Sequence, residues 1–307
     1  MAKPPPLYVL LATHERPGLL RRTLGSLSEC QKPDTYEATV VVENGSKSGA
    51  EKIVRASADA LDARYWYVPR GNKSHALNTA LRDINDGLIF FTDDDVRVHP
   101  EVLVRYAEAA RGLDGGVYFG GPTEADYEEA PPDWIIPSLP YSAKGWNRDS
   151  DWEYALGFNW AAFATDLKAC EGFNEERGPG SGSIGQETDM QKRLEASGVE
   201  QRVVDGARVW HYVPRERCSP RWLLGRYYRM GKGDALGTWD VSGPWLGYNA
   251  EVWSDLLHGL RRMLGALRAS DREKTFEAIL HLVRHLGRMR GRWEMRPEAK
   301  TGRGACP

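Results

Sequence analysis

Short apolar runs that alternate with stretches of helical period constrain this chain more than any other feature. Leu7 to Ala12 is continuously apolar and of buried-strand length; Thr13-His14-Glu15-Arg16-Pro17-Gly18 breaks it, and Leu20, Leu24 and Leu27 then recur at helical spacing. The same unit returns. Ala38 to Glu43 is a β-branched run ended by Asn44-Gly45-Ser46 and followed by a helical stretch to about Leu61, and Arg64 to Val68 is a third strand. Leu77, Ala80, Leu81 and Ile84 line one helix face, Leu88 to Thr92 is a fourth strand, and Leu103, Tyr106, Ala107 and Ala110 line the next helix. Strands apolar at every position are buried on both faces, so this pitch predicts a mainly parallel α/β sheet flanked by helices. Ligands of such sheets sit beyond the carboxyl ends of the strands, which directs attention to the residues after each run.

At about 150 residues per domain, 307 residues allow two domains or one large domain with an appendage. The division expected is 1–215 and 216–307. Residues 121 to 185 lose periodicity and are rich in Trp, Pro and Gly, as functional loop regions are; order returns at Glu187 to Ala196 and in short strands over Val203 to Trp210. Lys and Arg number 41 against 43 Asp and Glu, so nothing supports nucleic acid as a partner. The charge is nevertheless split: residues 201 to 307 hold 20 Lys/Arg against 11 Asp/Glu, leaving an acidic remainder. No apolar run approaches the roughly 18 residues of a membrane span. Met1-Ala2-Lys3-Pro4-Pro5-Pro6 leads straight into the first strand without a signal-peptide core, so the expected location is cytoplasmic, or peripheral on the inner face of a membrane. Cys30, Cys170, Cys218 and Cys306 lack CxxC spacing and read as reduced structural thiols.

Phe90-Phe91-Thr92-Asp93-Asp94-Asp95-Val96 is the most specific chemical signal. Adjacent carboxylates repel one another unless a cation lies among them, and hard oxygen donors suit Mg²⁺ or Mn²⁺. The structural alternative is an acidic cap on a following helix.

Here the chain resembles the family 2 glycosyltransferases, nucleotide-sugar enzymes whose strand-ending motif is Asp-x-Asp or Asp-Asp. Ala12-Thr13-His14-Glu15-Arg16-Pro17-Gly18-Leu19-Leu20 is similar to the family's opening, and Val40 to Ser46 to its second strand and loop, with Glu43 where an Asp is usual. Gly71 to Asn78 resembles its Lys-x-x-Ala-x-Asn segment, and the likeness continues through Gly185 to Asp189 and Val209 to Pro214. The resemblance implies the GT-A fold, a Rossmann-like sheet, with a basic helical extension after it.

It also implies roles. Thr13, Arg16 and Glu43 would hold the nucleoside, against the alternatives of a helix cap, a salt bridge and a solvated edge; Lys73 would reach the diphosphate unless it is simply exposed. Asp94 would face the ribose with Asp93 in support, while Asp95, Asp94 and His211 would hold Mn²⁺ or Mg²⁺; His211 is otherwise a packed core histidine. Asn159 belongs to a segment, Gly157-Phe158-Asn159-Trp160, that in the family lies beside the transferred sugar, where Trp146, Trp152 and Trp160 can stack on sugar faces. Glu187 or Asp189 stands where inverting members carry the catalytic base, unless both merely favour a helix N-terminus. Gly178 to Gly185 lacks the Gly-Lys-Ser/Thr of a Walker loop and reads as a mobile loop closing over donor or acceptor.

Arg226 and Arg229 can grip a diphosphate or acidic acceptor, or form a solvated face. Farther on, arginines surround the apolar stripe Phe276, Ile279, Leu280 and Val283; such helices either pack on protein or lie on an anionic membrane. The expected function is metal-dependent, inverting sugar transfer from a nucleoside diphosphate, UDP first, to a hydroxyl of a glycan or lipid-linked acceptor in cell-surface or secreted glycan synthesis. The rivals are a nucleotidyltransferase, whose phosphate loop Thr13 to Gly18 lacks, and an inactive binding protein of the same fold. The oligomeric state is left open.

Overall fold

The computed structural model describes residues 3–181, 185–238 and 250–294. Cys306 and positions 182–184 of the Gly-rich loop lie outside them. Two compact units emerge: residues 1–128 with 140–213, and residues 129–139 with 214 onward. The segment 129–139, assigned from sequence to the first domain, thus packs with the C-terminal helices.

In the first unit, β1 (Leu7–Thr13) leads to α1 (Pro17–Ser28), β2 (Tyr36–Asn44), α2 (Ala50–Ala56), α3 (Ala58–Leu61), β3 (Arg64–Val68), α4 (Lys73–Leu81) and β4 (Leu88–Phe91). There follow β5 (Val96–Val98), α5 (Val102–Ala109), β6 (Val117–Gly120), β7 (Thr123–Tyr127), α6 (Tyr141–Lys144), β8 (Trp160–Phe163), α7 (Ala164–Ala169), α8 (Gln186–Ala196), β9 (Glu200–Val203) and β10 (Val209–Val213). The main sheet has the order β3-β2-β1-β4-β8-β6-β9. β1 pairs in parallel with β2 and β4, β2 with β3, and β6 with β9; β8 runs antiparallel to both β4 and β6. A second sheet of order β5-β10-β7 lies apart from it.

The alternation produces this architecture because β1 and β4 are buried along almost their whole length and so require helices on both sides. α1 starts at Pro17, whose missing N–H costs nothing in the first turn, and buries Leu20, Thr23, Leu24 and Leu27. α4 is capped by Asn72, whose side chain accepts from the His75 N–H. Trp160 is 1% exposed and stacks on Phe91 at 4.6 Å, so it belongs to the core rather than to a sugar face. Trp146 is also buried and donates its indole N–H to the Trp152 carbonyl, which leaves Trp152 as the exposed member of that trio.

The second unit holds α9 (Pro220–Thr238), α10 (Ala250–Arg268) and α11 (Arg272–Glu294). α9 and α11 cross closely: a Cβ on Gly231 would stand 1.9 Å from the Arg284 carbonyl oxygen. Asp234 ties the pair by accepting from Arg284 at 2.7 Å and Arg288 at 3.0 Å. Phe276 and Leu280 of the predicted stripe are buried, with the Trp134 ring edge-on to Phe276 at 5.4 Å. Among the described residues no helix is long and apolar enough to cross a membrane.

Candidate active site

The chemistry-bearing residues gather at the carboxyl ends of β1 and β4. Asp93 to Asp95 do not cap a helix; the strand after them is β5, so the acids occupy the turn between two strands. A macrodipole therefore does not explain them.

The three carboxylates have separate partners. Asp93 pairs with Lys73, the first residue of α4. Burial pushes the Lys73 ammonium toward neutrality, but Asp93, Glu187 and Asp95 outweigh it and raise its pKa. Asp94 is 4% exposed and accepts from the Thr13 hydroxyl at 2.6 Å. Burial, reinforced by Asp95 and Asp93 against the Thr13 hydrogen bond and Arg16, raises its pKa to about 6. Arg16, at the N-cap of α1, sets one nitrogen 3.0 Å from Asp95 Oδ2 and 3.5 Å from Asp94 Oδ1, serving as the counter-cation of the acidic turn.

Asp95 Oδ1 is buried and accepts no hydrogen bond, and it stands 3.5 Å from His211 Nε2. The imidazole is fixed from behind: Nδ1 donates to the Ser142 carbonyl at 2.6 Å, and the ring stacks on Phe158 at 4.4 Å. When Nδ1 carries the ring's single proton, Nε2 offers a lone pair toward a carboxylate oxygen; when both nitrogens are protonated, Nε2 faces that oxygen as a cation. In the neutral form two acceptors face one another, an arrangement that suits a bound cation. Asp94, in contrast, turns to Thr13 and Arg16, and among the described residues no three His, Cys, Asp or Glu side chains form a ready metal cage. The expected Asp94, Asp95 and His211 set is thus present as one facing pair with Asp94 beside it.

A cleft of about 190 Å³ opens next to these groups, lined by Thr13, His14, Arg16, Asn44, Gly71, Lys73, Asp93, Asp94 and Gly180 among others. His14 and Asn44 escaped the sequence reading as site residues. His14 donates to the Asn44 carbonyl at 2.7 Å and fills the space where a Cβ on Gly45 would come within 2.6 Å of its ring. Glycine at 45 was the available signal, but its meaning depends on a ring 31 positions away.

Glu43, expected at the nucleoside, is withdrawn from the cleft. It is 1% exposed and accepts from the Tyr65 hydroxyl and from the Ser48 N–H and hydroxyl. Burial works against its ionisation, and these hydrogen bonds overcome it and lower its pKa. Asn159 is likewise consumed by the fold: fully buried, it donates to the Pro122 and Ala207 carbonyls and accepts from Tyr106. No polar atom of its amide is left for a sugar.

On the side of Lys73 stands Glu187, near the start of α8. Burial raises its pKa, opposed by Lys73 and its own N–H and reinforced by Asp93. Gly157 backs it, since a Cβ there would lie 2.9 Å from Glu187 Cγ. Asp189 differs in kind: Arg177 holds one carboxylate oxygen at 3.0 Å and Arg193 the other at 3.0 Å. Gly178 to Ser181 is not a free loop. The Lys73 N–H donates to the Pro179 carbonyl at 3.1 Å, and a Cβ on Gly180 would stand 1.9 Å from the Gly71 carbonyl oxygen. Arg226 and Arg229 lie on α9 of the second unit, where Arg226 covers the Trp222 ring at 5.6 Å.

Comparison with known proteins bears on this arrangement. Residues 4–136 match the family model described as glycosyltransferase-like family 2. Over 231 residues, 72% of this chain and 72% of the relative, the sequence is 29% identical to the succinoglycan biosynthesis protein ExoM of Rhizobium meliloti (strain 1021). The mannosyltransferase PcManGT of Pyrobaculum calidifontis, in complex with GDP-Man and Mn²⁺, superposes with a TM-score of 0.61 at 18% identity over 95% of this chain and 88% of that one. Residues 1–349 of S. aureus TarS in complex with UDP-GlcNAc give 0.50 at 16% identity over 89% and 90%. At these identities the solved structures speak for the fold.

Proposed function

We propose that this chain is a family 2 glycosyltransferase of GT-A fold that moves a sugar from a nucleoside diphosphate to a hydroxyl of a growing glycan, with inversion at the anomeric carbon. The observation that carries the reading is the orphaned Asp95 oxygen facing His211 Nε2 beside an open, Lys73- and Arg16-lined cleft. That donor set suits Mn²⁺ or Mg²⁺, because Mg²⁺ in particular takes few protein ligands and completes its shell with phosphate oxygens. Asp95 and His211 would hold the ion, with Asp94 adjoining toward the ribose. The chemistry supplied there would be positive charge against that developing on the departing diphosphate.

The remaining steps belong to the chain itself. Lys73 and Arg16, each already set against an aspartate, are the cations within reach of a diphosphate in the cleft. Glu187 is the base. Its raised pKa gives it the proton affinity to accept the acceptor's hydroxyl proton as that oxygen bonds to the anomeric carbon and the bond to phosphate breaks. Asp189, clamped by two guanidinium groups, keeps α8 in place instead. UDP is the nucleotide to try first, and the GDP-Man and UDP-GlcNAc complexes of the structural neighbours support testing both bases. The relative's part in succinoglycan biosynthesis supports a cell-surface or secreted polysaccharide as product, built on a glycan or lipid-linked acceptor.

The test is melting temperature with a panel of nucleoside diphosphates, each with Mn²⁺, Mg²⁺ or EDTA, on the wild type and Asp95→Ala. Ligand at a hundred times its dissociation constant adds about 2.7 kcal/mol, a shift of a few degrees. A metal-dependent shift with one nucleotide, lost in the variant, is the expected result; a shift that survives EDTA or Asp95→Ala overturns the metal assignment. No shift with any nucleotide overturns the donor site.

A further inference from the structure

We propose that the outer face of α10 lies on an anionic lipid surface and holds the enzyme at a membrane. The sequence places arginines from Arg261 to Arg292 around apolar stripes of the C-terminal helices, but Phe276 and Leu280 of the α11 stripe are buried. The apolar face left open belongs to α10: Leu257, Leu260, Leu264 and Leu267 are 52%, 37%, 50% and 53% exposed. At about 100° per residue these four leucines fall within an arc of roughly 80°. The docked side of the helix is a different one. Ala266 is buried, and a Cβ on Gly259 would come within 3.0 Å of Leu282 on α11.

Charge decides what covers the leucines. Arg261 and Arg268 both lie along one edge of the arc, within roughly 40° of it on the same helical wheel. Both are exposed, and among the described residues neither is ion-paired; Arg262 reaches only Glu277, at 4.0 Å. No Asp or Glu occurs from Leu256 to Ser270. A second copy of this face, packed antiparallel about a two-fold axis, would set arginines against arginines. A lipid surface carrying phosphate charge satisfies both parts, taking the leucines into the acyl boundary and the guanidinium groups at the headgroups. The same unit exposes Trp293 and Leu286 on α11, and tryptophan is a residue enriched at membrane interfaces.

The surface is independent of the donor cleft, so its failure and that of the sugar-transfer reading are separable. The full chain is sedimented with vesicles of phosphatidylcholine alone and of phosphatidylcholine with phosphatidylglycerol. We expect binding to the anionic vesicles, weakened by salt and reduced about tenfold or more in Leu260→Glu/Leu264→Glu and in Arg261→Glu/Arg268→Glu. Both variants change exposed side chains, so melting temperature and turnover on a soluble acceptor stay at the wild-type level. Absence of wild-type binding to anionic vesicles overturns the proposal, as does equal binding by the leucine variant. A dimer that the leucine variant abolishes, without vesicle binding, gives the face to a second copy.

Discussion

A single methyl group at position 157 tests whether Glu187 is the base. Gly157 has no positive φ, so alanine fits its backbone without strain. The new Cβ would stand 2.9 Å, 3.0 Å and 3.1 Å from Glu187 Cγ, Cδ and Cβ. Ordinary carbon contacts lie near 3.5–4.0 Å, so the side chain must retreat by roughly 0.5–1 Å. Misplacing a reacting group by about 1 Å costs on the order of 10²-fold in rate. Gly157→Ala is therefore expected to lower kcat about 10- to 100-fold while Lys73, Asp94 and Asp95, which it does not touch, continue to bind donor. Because Glu187 is a flexible side chain that can yield, the melting temperature should fall by no more than a few degrees. Initial rates at saturating donor give kcat, and nucleotide-induced stabilisation gives donor binding on the same sample. Unchanged turnover would refute the placement of Glu187 at the reacting centre. Loss of turnover together with donor binding would show that the methyl acts on the cleft and not on the base.

Three further outcomes follow from the same geometry. A base at Glu187 must be a carboxylate, and its pKa is raised, so kcat at saturating donor and metal should fall as pH drops through a value above the ordinary glutamate range; Glu187→Gln should lose that acid limb and about 10²–10⁴ in rate, and a variant that keeps the limb refutes the assignment. Asp94 rises from 3.8 to about 6 on folding, a shift equivalent to about 3 kcal/mol. Stability of the ligand-free protein is then fully present below the lower value and lost as pH rises through the upper one. Melting of Asp94→Asn across that window should lack this loss, and a slope equal to the wild type's refutes it. Gly231→Ala forces a Cβ to within 1.9 Å of the Arg284 carbonyl oxygen; the α9–α11 crossing should lose about 3 kcal/mol, read by denaturant unfolding, and an unchanged midpoint contradicts the close crossing.

The alternation of apolar runs and helical periods located β1, β2, β3 and β4 and the helices between them, because both signals are carried by neighbours in the chain. The acidic turn was legible for the same reason: three adjacent carboxylates at a strand end are a local anomaly. The antiparallel insertion of β8 between β4 and β6 was not, since a four-residue apolar run has no direction in the sequence. Glu43 and Asn159 stand where the family resemblance put donor contacts, yet Tyr65 and Tyr106, far along the chain, claim their polar atoms.

What the sequence alone determined, then, is the α/β alternation, the strand ends where ligands gather, and the residue types able to bind a cation and a diphosphate there. Only the tertiary structure separated Glu187 from Asp189, which are two positions apart on one helix. Arg177 and Arg193 clamp the aspartate, while burial beside Lys73 and the bare backbone of Gly157 set the glutamate. The face of α10 left to solvent was decided in the same way, by where α11 packs. Periodicity and charge are properties of a segment, but whether a polar group is buried, paired or free depends on groups brought to it from elsewhere in the chain.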